Sequence, residues 1–170
     1  MFYLSSPRLA FRDYTYQDLD FLHRMLASPA VMKHIGNGKT KTLQETEAFL
    51  QWILRHYQEN EQLGLKVIEH SQTKALLGHA GIIPQILEHR LYYEIGYWIV
   101  PEFQGLGYAK EAARTFFHLG KTELHLKKMI ALIQPQNIPS IQVAKALPMQ
   151  FEAEKRINEQ LVHIYSNTTS

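Results

Sequence analysis

Glu94-Ile-Gly-Tyr-Trp-Ile-Val-Pro-Glu-Phe-Gln-Gly-Leu-Gly-Tyr-Ala-Lys-Glu-Ala112 is the stretch that decides the fold: an apolar strand that stops at Pro101, a loop with two glycines, and the start of a helix. Gly105 and Gly107 remove side chains where backbone N–H groups must approach a ligand closely. The helix, predicted from Tyr108 to Leu119, adds its unpaired N-terminal N–H groups and the positive end of its dipole. The stretch therefore predicts a site for the pyrophosphate of an anionic cofactor.

Two other glycine-loop motifs fit this stretch poorly. The dinucleotide fingerprint G-x-G-x-x-G, or its alanine-ended variant, has Lys110 at its third position here. The phosphate loop G-x-x-x-x-G-K-[ST] is matched only at its end, by Gly120-Lys-Thr122, because Thr115 stands where its first glycine belongs.

A third motif fits. Gln104-Gly-Leu-Gly-Tyr-Ala109 resembles the [Q/R]-x-x-G-x-[G/A] signature of the GNAT superfamily of acyl-CoA-dependent N-acetyltransferases. Glu94 to Val100 is similar to the fourth strand of that family. Asn137-Ile-Pro-Ser140 resembles the Asn-x-x-Ser helix start of its RimJ/RimL-like subgroup, which acetylates the N-termini of ribosomal proteins, and Arg8-Leu-Ala-Phe-Arg12 resembles the opening strand of that subgroup. The resemblance covers roughly the whole chain.

The resemblance implies an α+β fold with a mixed, mostly antiparallel twisted sheet of about seven strands flanked by helices. A splayed gap is expected between strands four and five. The coarse pattern of the sequence gives the matching order β-α-α-α-β-β-β-α-β-α-β-β. One departure from the family is Leu147-Pro148-Met149, where the family usually has Leu-Gly, so the turn into the next strand is expected to differ.

Thr42 and Glu45 predict a capping box at the start of the third helix. Ala75 to Ile83 is predicted as a strand that is followed by a turn over residues 85–90, and alternation in the next strand places Tyr97 on the face opposite Glu94.

The resemblance also implies acetyl-CoA as the acyl donor and a set of residues that bind it. The expected cofactor-binding residues are Trp98, Ile99, Val100, Gln104, Gly105, Leu106, Gly107, Tyr108, Ala109, Asn137, Ser140 and Lys145. The backbone groups of residues 98–100 would bind the pantetheine arm, because a kink in this strand opens the gap. Gly96 is either part of such a kink or accommodates a large neighbour such as Trp98.

Two residues are candidates for catalysis. Glu94 is the one carboxylate in an apolar strand, where burial would raise its pKa toward neutrality and make it a general base; the alternative is a structural carboxylate. Glu102 is a weaker candidate. By resemblance, Ser140 would protonate the departing thiolate, although it could equally be a solvated hydroxyl. Asn137 either contacts the cofactor or only caps its helix.

Composition limits the remaining possibilities. The length of 170 residues, with 45% hydrophobic and 20% charged residues, predicts a single domain over residues 1–170. A net charge of +2 without a basic run gives no reason to expect nucleic acid, and no signal peptide or membrane span is recognised, so a cytoplasmic protein is expected. No cysteine is present to carry an acyl group, and the nine histidines lack metal-binding spacing.

The sequence therefore predicts an N-acetyltransferase that transfers an acetyl group directly to a primary amine. A protein N-terminal α-amine is the leading acceptor. The alternatives are a polyamine or aminoglycoside acceptor, or a non-catalytic coenzyme A-binding sensor or interaction domain. A monomer or a homodimer is expected.

Overall fold

The computed structural model describes residues 2–168, which form an eight-stranded mixed sheet flanked by helices. The strands are β1 (Tyr3–Ser5), β2 (Leu9–Asp13), β3 (Gly64–His70), β4 (Leu76–Leu87), β5 (Arg90–Ile99), β6 (Ile130–Ile133), β7 (Gln150–Ile157) and β8 (Gln160–Ser166). Their order across the sheet is β1-β2-β3-β4-β5-β6-β8-β7. This α+β architecture confirms the predicted fold class.

The helices are α1 (Leu19–Leu26), α2 (Pro29–Met32), α3 (Leu43–Glu59), α4 (Tyr108–Thr122) and α5 (Ile138–Ala146). Side-chain caps fix where they begin. Thr42 Oγ1 accepts a hydrogen bond from the Glu45 N–H (3.1 Å), and the Glu45 carboxylate accepts one from the Thr42 N–H (2.9 Å). This reciprocal pair is the capping box that the sequence predicts at the start of α3.

The sheet separates two hydrophobic cores. One packs against α4 and α5 and includes Phe116, Ala144 and, from β5, Ile95 and Ile99. The other packs against α1 to α3 and takes Val100 and Trp98 from the opposite face. Because successive side chains of a strand point to opposite faces, β5 contributes to both cores.

Two strands differ from the sequence prediction. The three-residue β1 was not expected, so the sheet formed by residues 2–168 has eight strands instead of about seven. β4 continues past Ile83, although Pro84 lacks an N–H. Pro84 lies opposite Tyr93 in β5, and β3 begins at Gly64, opposite Ile82. The missing N–H of Pro84 faces the β3 side, at a position that lies before the first residue of β3, so no ladder hydrogen bond is lost.

The predicted gap lies between β5 and β6. Over residues 2–168, these two parallel strands pair at a single position, Glu94 with Ile130, and the register contains no pair beyond it. On its other edge, β5 pairs continuously with β4 from Arg90 to Ile99. The cleft therefore opens toward the C-terminal ends of β5 and β6.

The turn after α5 accommodates the sequence Leu147-Pro148-Met149 without a left-handed residue. Leu147 has an extended conformation (φ −88°, ψ 164°), and its carbonyl accepts a hydrogen bond from the Met149 N–H (2.7 Å). Leu147 and Met149 are both buried in the core beneath α4. The proline at 148 is thus compatible with the entry into β7.

Candidate active site

A cavity of about 990 Å³ occupies the gap between β5 and β6. This volume lies at the upper end of the range for small-molecule sites. Its walls come from the end of β5, the loop before α4, the first turn of α5, the segment after α2 and the β7–β8 turn. The cavity thus connects the two faces of the sheet, and an elongated ligand can reach it from both.

The loop before α4 is shaped by two left-handed residues. Gly105 has φ +79° and Gly107 has φ +84°, a region that residues with a Cβ rarely adopt. A Cβ at Gly105 would meet nothing within 4 Å, and one at Gly107 would meet Arg8 Nη2 at 3.3 Å. The glycines are therefore required chiefly by backbone conformation, which turns the loop directly into α4.

The first turn of α4 offers N–H groups to this cavity. The Glu111 N–H donates to the Gly107 carbonyl (3.0 Å), which is the first hydrogen bond of the helix. The four N–H groups from Gly107 to Lys110 consequently have no acceptor within the helix. Gly105 and residues 107–110 line the cavity, so the donors surround a space suited to an anion.

The β5 residues whose backbone groups face the gap are not all those that the prediction names. The Val100 N–H donates to the Leu77 carbonyl of the β4 side (2.9 Å), and Trp98 lies opposite His79 in the same ladder. The backbone groups of Trp98 and Val100 therefore point toward β4 and are unavailable to a cofactor. Those of Tyr97 and Ile99 point into the gap, although Gln104 Nε2 already donates to the Ile99 carbonyl (2.9 Å).

Glu94 lies on the cavity wall at the paired end of the gap. The residue as a whole is half-buried, and Gln85 Nε2 of β4 donates to its carboxylate Oε1 (2.8 Å). Burial raises the pKa of Glu94 to about 7, although the hydrogen bond from Gln85 partly opposes this rise. A carboxyl group with this pKa exchanges protons readily near neutral pH.

The first turn of α5 forms the opposite wall. Asn137 Oδ1 accepts a hydrogen bond from the Ser140 N–H (3.4 Å), so Asn137 caps the helix while also lining the cavity. The Ser140 side chain is half-buried in the same wall. The Tyr97 hydroxyl donates to the Ser140 carbonyl (2.9 Å) and so ties α5 to β5 across the gap. Glu94 and Ser140 are thereby brought to one cavity.

The comparison with known proteins explains this arrangement. Residues 8–150 match a family model described as "Acetyltransferase (GNAT) domain". The chain belongs to the GNAT acetyltransferase family. Members of this family use acetyl-CoA and act on an amine-bearing substrate.

Two relatives of this GNAT acetyltransferase come from Bacillus subtilis. One is the uncharacterized protein YkkB, which is 34% identical over 81% of this chain and 78% of its own length. The other is the uncharacterized N-acetyltransferase YnaD, which is 30% identical over 88% of this chain and 84% of its own length.

Two solved structures show the same fold. RimL, a ribosomal L7/L12 alpha-N-protein acetyltransferase in complex with coenzyme A, has a TM-score of 0.80 at 16% identity and covers 97% of both chains. Spermidine N-acetyltransferase from Vibrio cholerae, in complex with coenzyme A and spermine, has a TM-score of 0.76 at 23% identity and covers 95% of both chains. At these identities the likeness concerns the fold alone.

In this GNAT acetyltransferase, most residues predicted to bind the cofactor line the cavity, but three of them do not. Val100 is buried in the core on the α1–α3 side, and Leu106 and Lys145 are exposed. Lys110 lines the cavity instead of Lys145. Glu102, the weaker candidate for the base, is exposed and outside the lining.

For Gly96 the structure agrees with the second of the two interpretations, the accommodation of a large neighbour, but the neighbour is another residue. The β4–β5 register runs through it without a shift, so it marks no bulge. A Cβ there would lie 2.6 Å from Ile83 Cδ1. The glycine therefore makes room for Ile83 and not for Trp98.

Two residues of the site were missed by sequence reasoning. Strand alternation places Tyr97 on the face opposite Glu94, but it does not indicate the contacts of its backbone or its hydroxyl group. The sequence pattern predicts a turn at Gln85, because it ends the preceding strand at Ile83. Extending the hairpin register back from residues 88–90 would have placed Gln85 opposite Tyr92, diagonal to Glu94.

Within the part of the chain that the structure describes, no group of three or more His, Asp or Glu side chains is arranged to hold a metal ion. Among the helices formed by residues 2–168, none combines the length and apolar character needed to cross a membrane.

Proposed function

We propose that this GNAT acetyltransferase acetylates the α-amino group of a protein or peptide, with Glu94 as the general base. The observation that carries the proposal is the Glu94 carboxyl group, which faces the cavity opposite Ser140 and has its pKa raised to about 7. A base of this strength accepts a proton from an amine near neutral pH.

The residues around the gap suit acetyl-CoA. The free N–H groups of Gly107 to Lys110 would hold its diphosphate, and the gap-facing backbone of Tyr97 would bind the pantetheine arm. Asn137 and Ser140 would lie along the same arm. When bound, acetyl-CoA supplies an acetyl group activated as a thioester.

Two side chains would serve the transfer. Glu94 would take the proton of the acceptor ammonium, directly or through one water, because an amine attacks only through its free electron pair. Ser140 Oγ would donate a hydrogen bond to the sulfur as the N–C bond forms and the C–S bond breaks, and the second proton, which the nitrogen loses on becoming an amide, would end on that sulfur. Both residues line the same cavity, so one transfer can use both groups.

The strength of the base favours an α-amine over an alkylamine. An α-amino group has a pKa of about 8, close to that of Glu94, whereas an alkylammonium such as that of lysine has one of about 10.4. Moving the proton to Glu94 thus costs about 1.4 kcal/mol for an α-amine and roughly 4 to 5 kcal/mol for an alkylamine. The smaller cost supports a protein N-terminus as the acceptor.

The charges of the cavity lining also favour an α-amine as the acceptor. Among the described residues, Glu94 is the one carboxylate in the lining, which also contains the basic residues Lys33, His34 and Lys110. A polyamine or aminoglycoside brings several ammonium groups, and each one that leaves water needs an anionic partner. After Glu94 has served one amine, the lining offers no second carboxylate from residues 2–168.

The test compares acceptors in a thiol-release assay with acetyl-CoA. A short peptide with a free N-terminus should react, and the same peptide with a blocked N-terminus should not, whereas spermidine and an aminoglycoside should react at least tenfold more slowly. Reaction with spermidine alone would overturn the α-amine assignment.

The Glu94→Gln variant tests the base. It should bind coenzyme A as the parent does in calorimetry, but lose most of its turnover and the acidic limb of its pH–rate profile. Unchanged turnover and an unchanged limb would remove Glu94 from the mechanism. Coenzyme A binding by the parent without transfer to any acceptor would instead favour a non-catalytic binding domain.

A further inference from the structure

Arg8 holds the glycine loop from outside the cavity. It lies between β1 and β2, and its Nη1 donates to the Leu106 carbonyl (3.0 Å). Its guanidinium also stacks over the Tyr108 ring, 4.5 Å from the centroid. Arg8 is not among the residues that line the cavity, so it reaches the loop from the side opposite a bound ligand.

The bond to Leu106 determines where the next N–H points. In a trans peptide unit the C=O and N–H groups point in opposite directions. Because Arg8 fixes the Leu106 carbonyl on its own side, the Gly107 N–H is directed away from Arg8, and Gly107 lines the cavity. Arg8 thereby orients one of the donors on which an anion would rest.

Arg8 also pairs with an unfavourably placed acid. Glu111 lies in the first turn of α4, where its negative charge stabilises the helix but opposes a second anion at the same helix end. Arg8 Nε donates to Glu111 Oε1 (2.7 Å), and the Arg8 N–H donates to Oε2 (2.9 Å). Ser6 Oγ donates to the same oxygen, and the Glu111 side chain is only 16% exposed.

We propose that Arg8 is a positioning residue for the diphosphate of the acyl donor: it orients the Gly107 N–H through Leu106 and neutralises Glu111. The proposal rests on the donor site described above. Glu111 in turn holds the Arg8 guanidinium in place. This contact is needed because Arg8 is 44% exposed and has a flexible side chain.

The test uses two donors that differ in the diphosphate. Arg8→Ala should raise the KM for acetyl-CoA about 10- to 100-fold, because the Gly107 N–H is no longer held in place and the Glu111 charge is no longer neutralised beside the diphosphate. It should leave kcat/KM unchanged for S-acetylpantetheine, which has the same thioester but no diphosphate. Arg8→Lys keeps the charge but loses the forked geometry and should lie between the parent and Arg8→Ala.

The double variant Arg8→Ala/Glu111→Gln separates the two effects. Removing the unpaired acid should recover about 3- to 10-fold of the acetyl-CoA affinity that Arg8→Ala loses, since the opposing charge at the helix end is gone. Arg24→Ala is the matched control: it removes an exposed arginine of α1 and should change neither donor. A thermal melt of each variant establishes that it is folded.

Two results would overturn the proposal. One is an equal loss of kcat/KM for acetyl-CoA and S-acetylpantetheine in Arg8→Ala, which indicates a purely structural role. The other is an unchanged KM for acetyl-CoA in Arg8→Ala. If the parent itself failed to bind coenzyme A, the donor site of the proposed function would fall instead, so the two failures are distinguishable.

Discussion

Replacing Glu94 with glutamine should stabilise the protein at alkaline pH and not at acidic pH. In the unfolded chain this carboxyl group releases its proton near its ordinary pKa of 4.5, whereas in the folded protein burial raises the pKa to about 7. Between these values the folded state holds more protons than the unfolded state, so stability falls as the pH rises. The stabilising contribution is complete below the lower pKa and is lost above the higher one.

The magnitude follows from the two pKa values. At 1.36 kcal/mol per pH unit, the difference between pKa values of about 7 and 4.5 corresponds to roughly 3 kcal/mol of unfolding free energy. The parent loses this stability as the pH rises, and Glu94→Gln does not. For a chain of this size, 3 kcal/mol is about 6 to 12 °C in melting temperature. Glutamine retains the shape and can still bond to Gln85, so little else changes at the site.

The assay is equilibrium unfolding in urea of both proteins at about pH 4.5 and about pH 8.5, two values that span the range in which the charge state of Glu94 changes. Every other ionisable group is present in both proteins and cancels in the difference. The difference in unfolding free energy between the proteins should be near zero at the lower pH and approach 3 kcal/mol at the higher. A difference that did not vary with pH would refute the raised pKa, and with it the physical basis for Glu94 as the base.

Three further variants test other parts of the site and fold. Gly107→Val should abolish coenzyme A binding in calorimetry, because φ +84° is strained for a branched residue and its Cβ would lie 3.3 Å from Arg8 Nη2; undiminished binding would exclude the loop as the donor site. Ser140→Ala should lower kcat about 10- to 1,000-fold with little change in the KM for acetyl-CoA, and an unchanged kcat would leave Ser140 as a helix residue only. Lys66 is fully buried and donates to Asp13 Oδ1 (2.7 Å), so Lys66→Ala should cost about 3 to 5 kcal/mol in urea unfolding; a loss below about 1 kcal/mol would contradict the contribution of this ion pair.

The parts of the fold that local chemistry determines could be predicted from the sequence. Thr42 and Glu45 identify the start of α3, because a capping box involves only residues three apart. Gly105 and Gly107 were identified as loop residues with a special backbone role, and both are left-handed. Glu94 was singled out as a carboxylate within an apolar strand, and burial does raise its pKa.

The parts that depend on pairing could not be predicted. Alternation in β5 shows which side chains share a face, but not which backbone groups point toward β4, so Trp98 and Val100 were assigned a role that their hydrogen bonding excludes. The register between β4 and β5 determines which backbone groups of β5 point toward β4. Likewise, the sequence pattern ends β4 before Pro84, because only the sheet shows that β3 does not extend to that position. Residues far apart in the chain, such as Arg8 and Leu106, meet only in the tertiary structure.

The single pairing of β5 with β6 makes Glu94 the vertex of a V. Widening the cleft requires the far ends of the two strands to separate, while the Glu94–Ile130 pair remains joined. When two strands separate about one joined pair, the displacement of each residue grows with its distance from that pair. The mouth of the cavity can therefore admit ligands of different width while Glu94 and Ile130 hardly move. Gln85, on the neighbouring strand β4, holds the Glu94 carboxylate at this joined end, so the carboxylate would keep its place relative to β4 if the mouth widened.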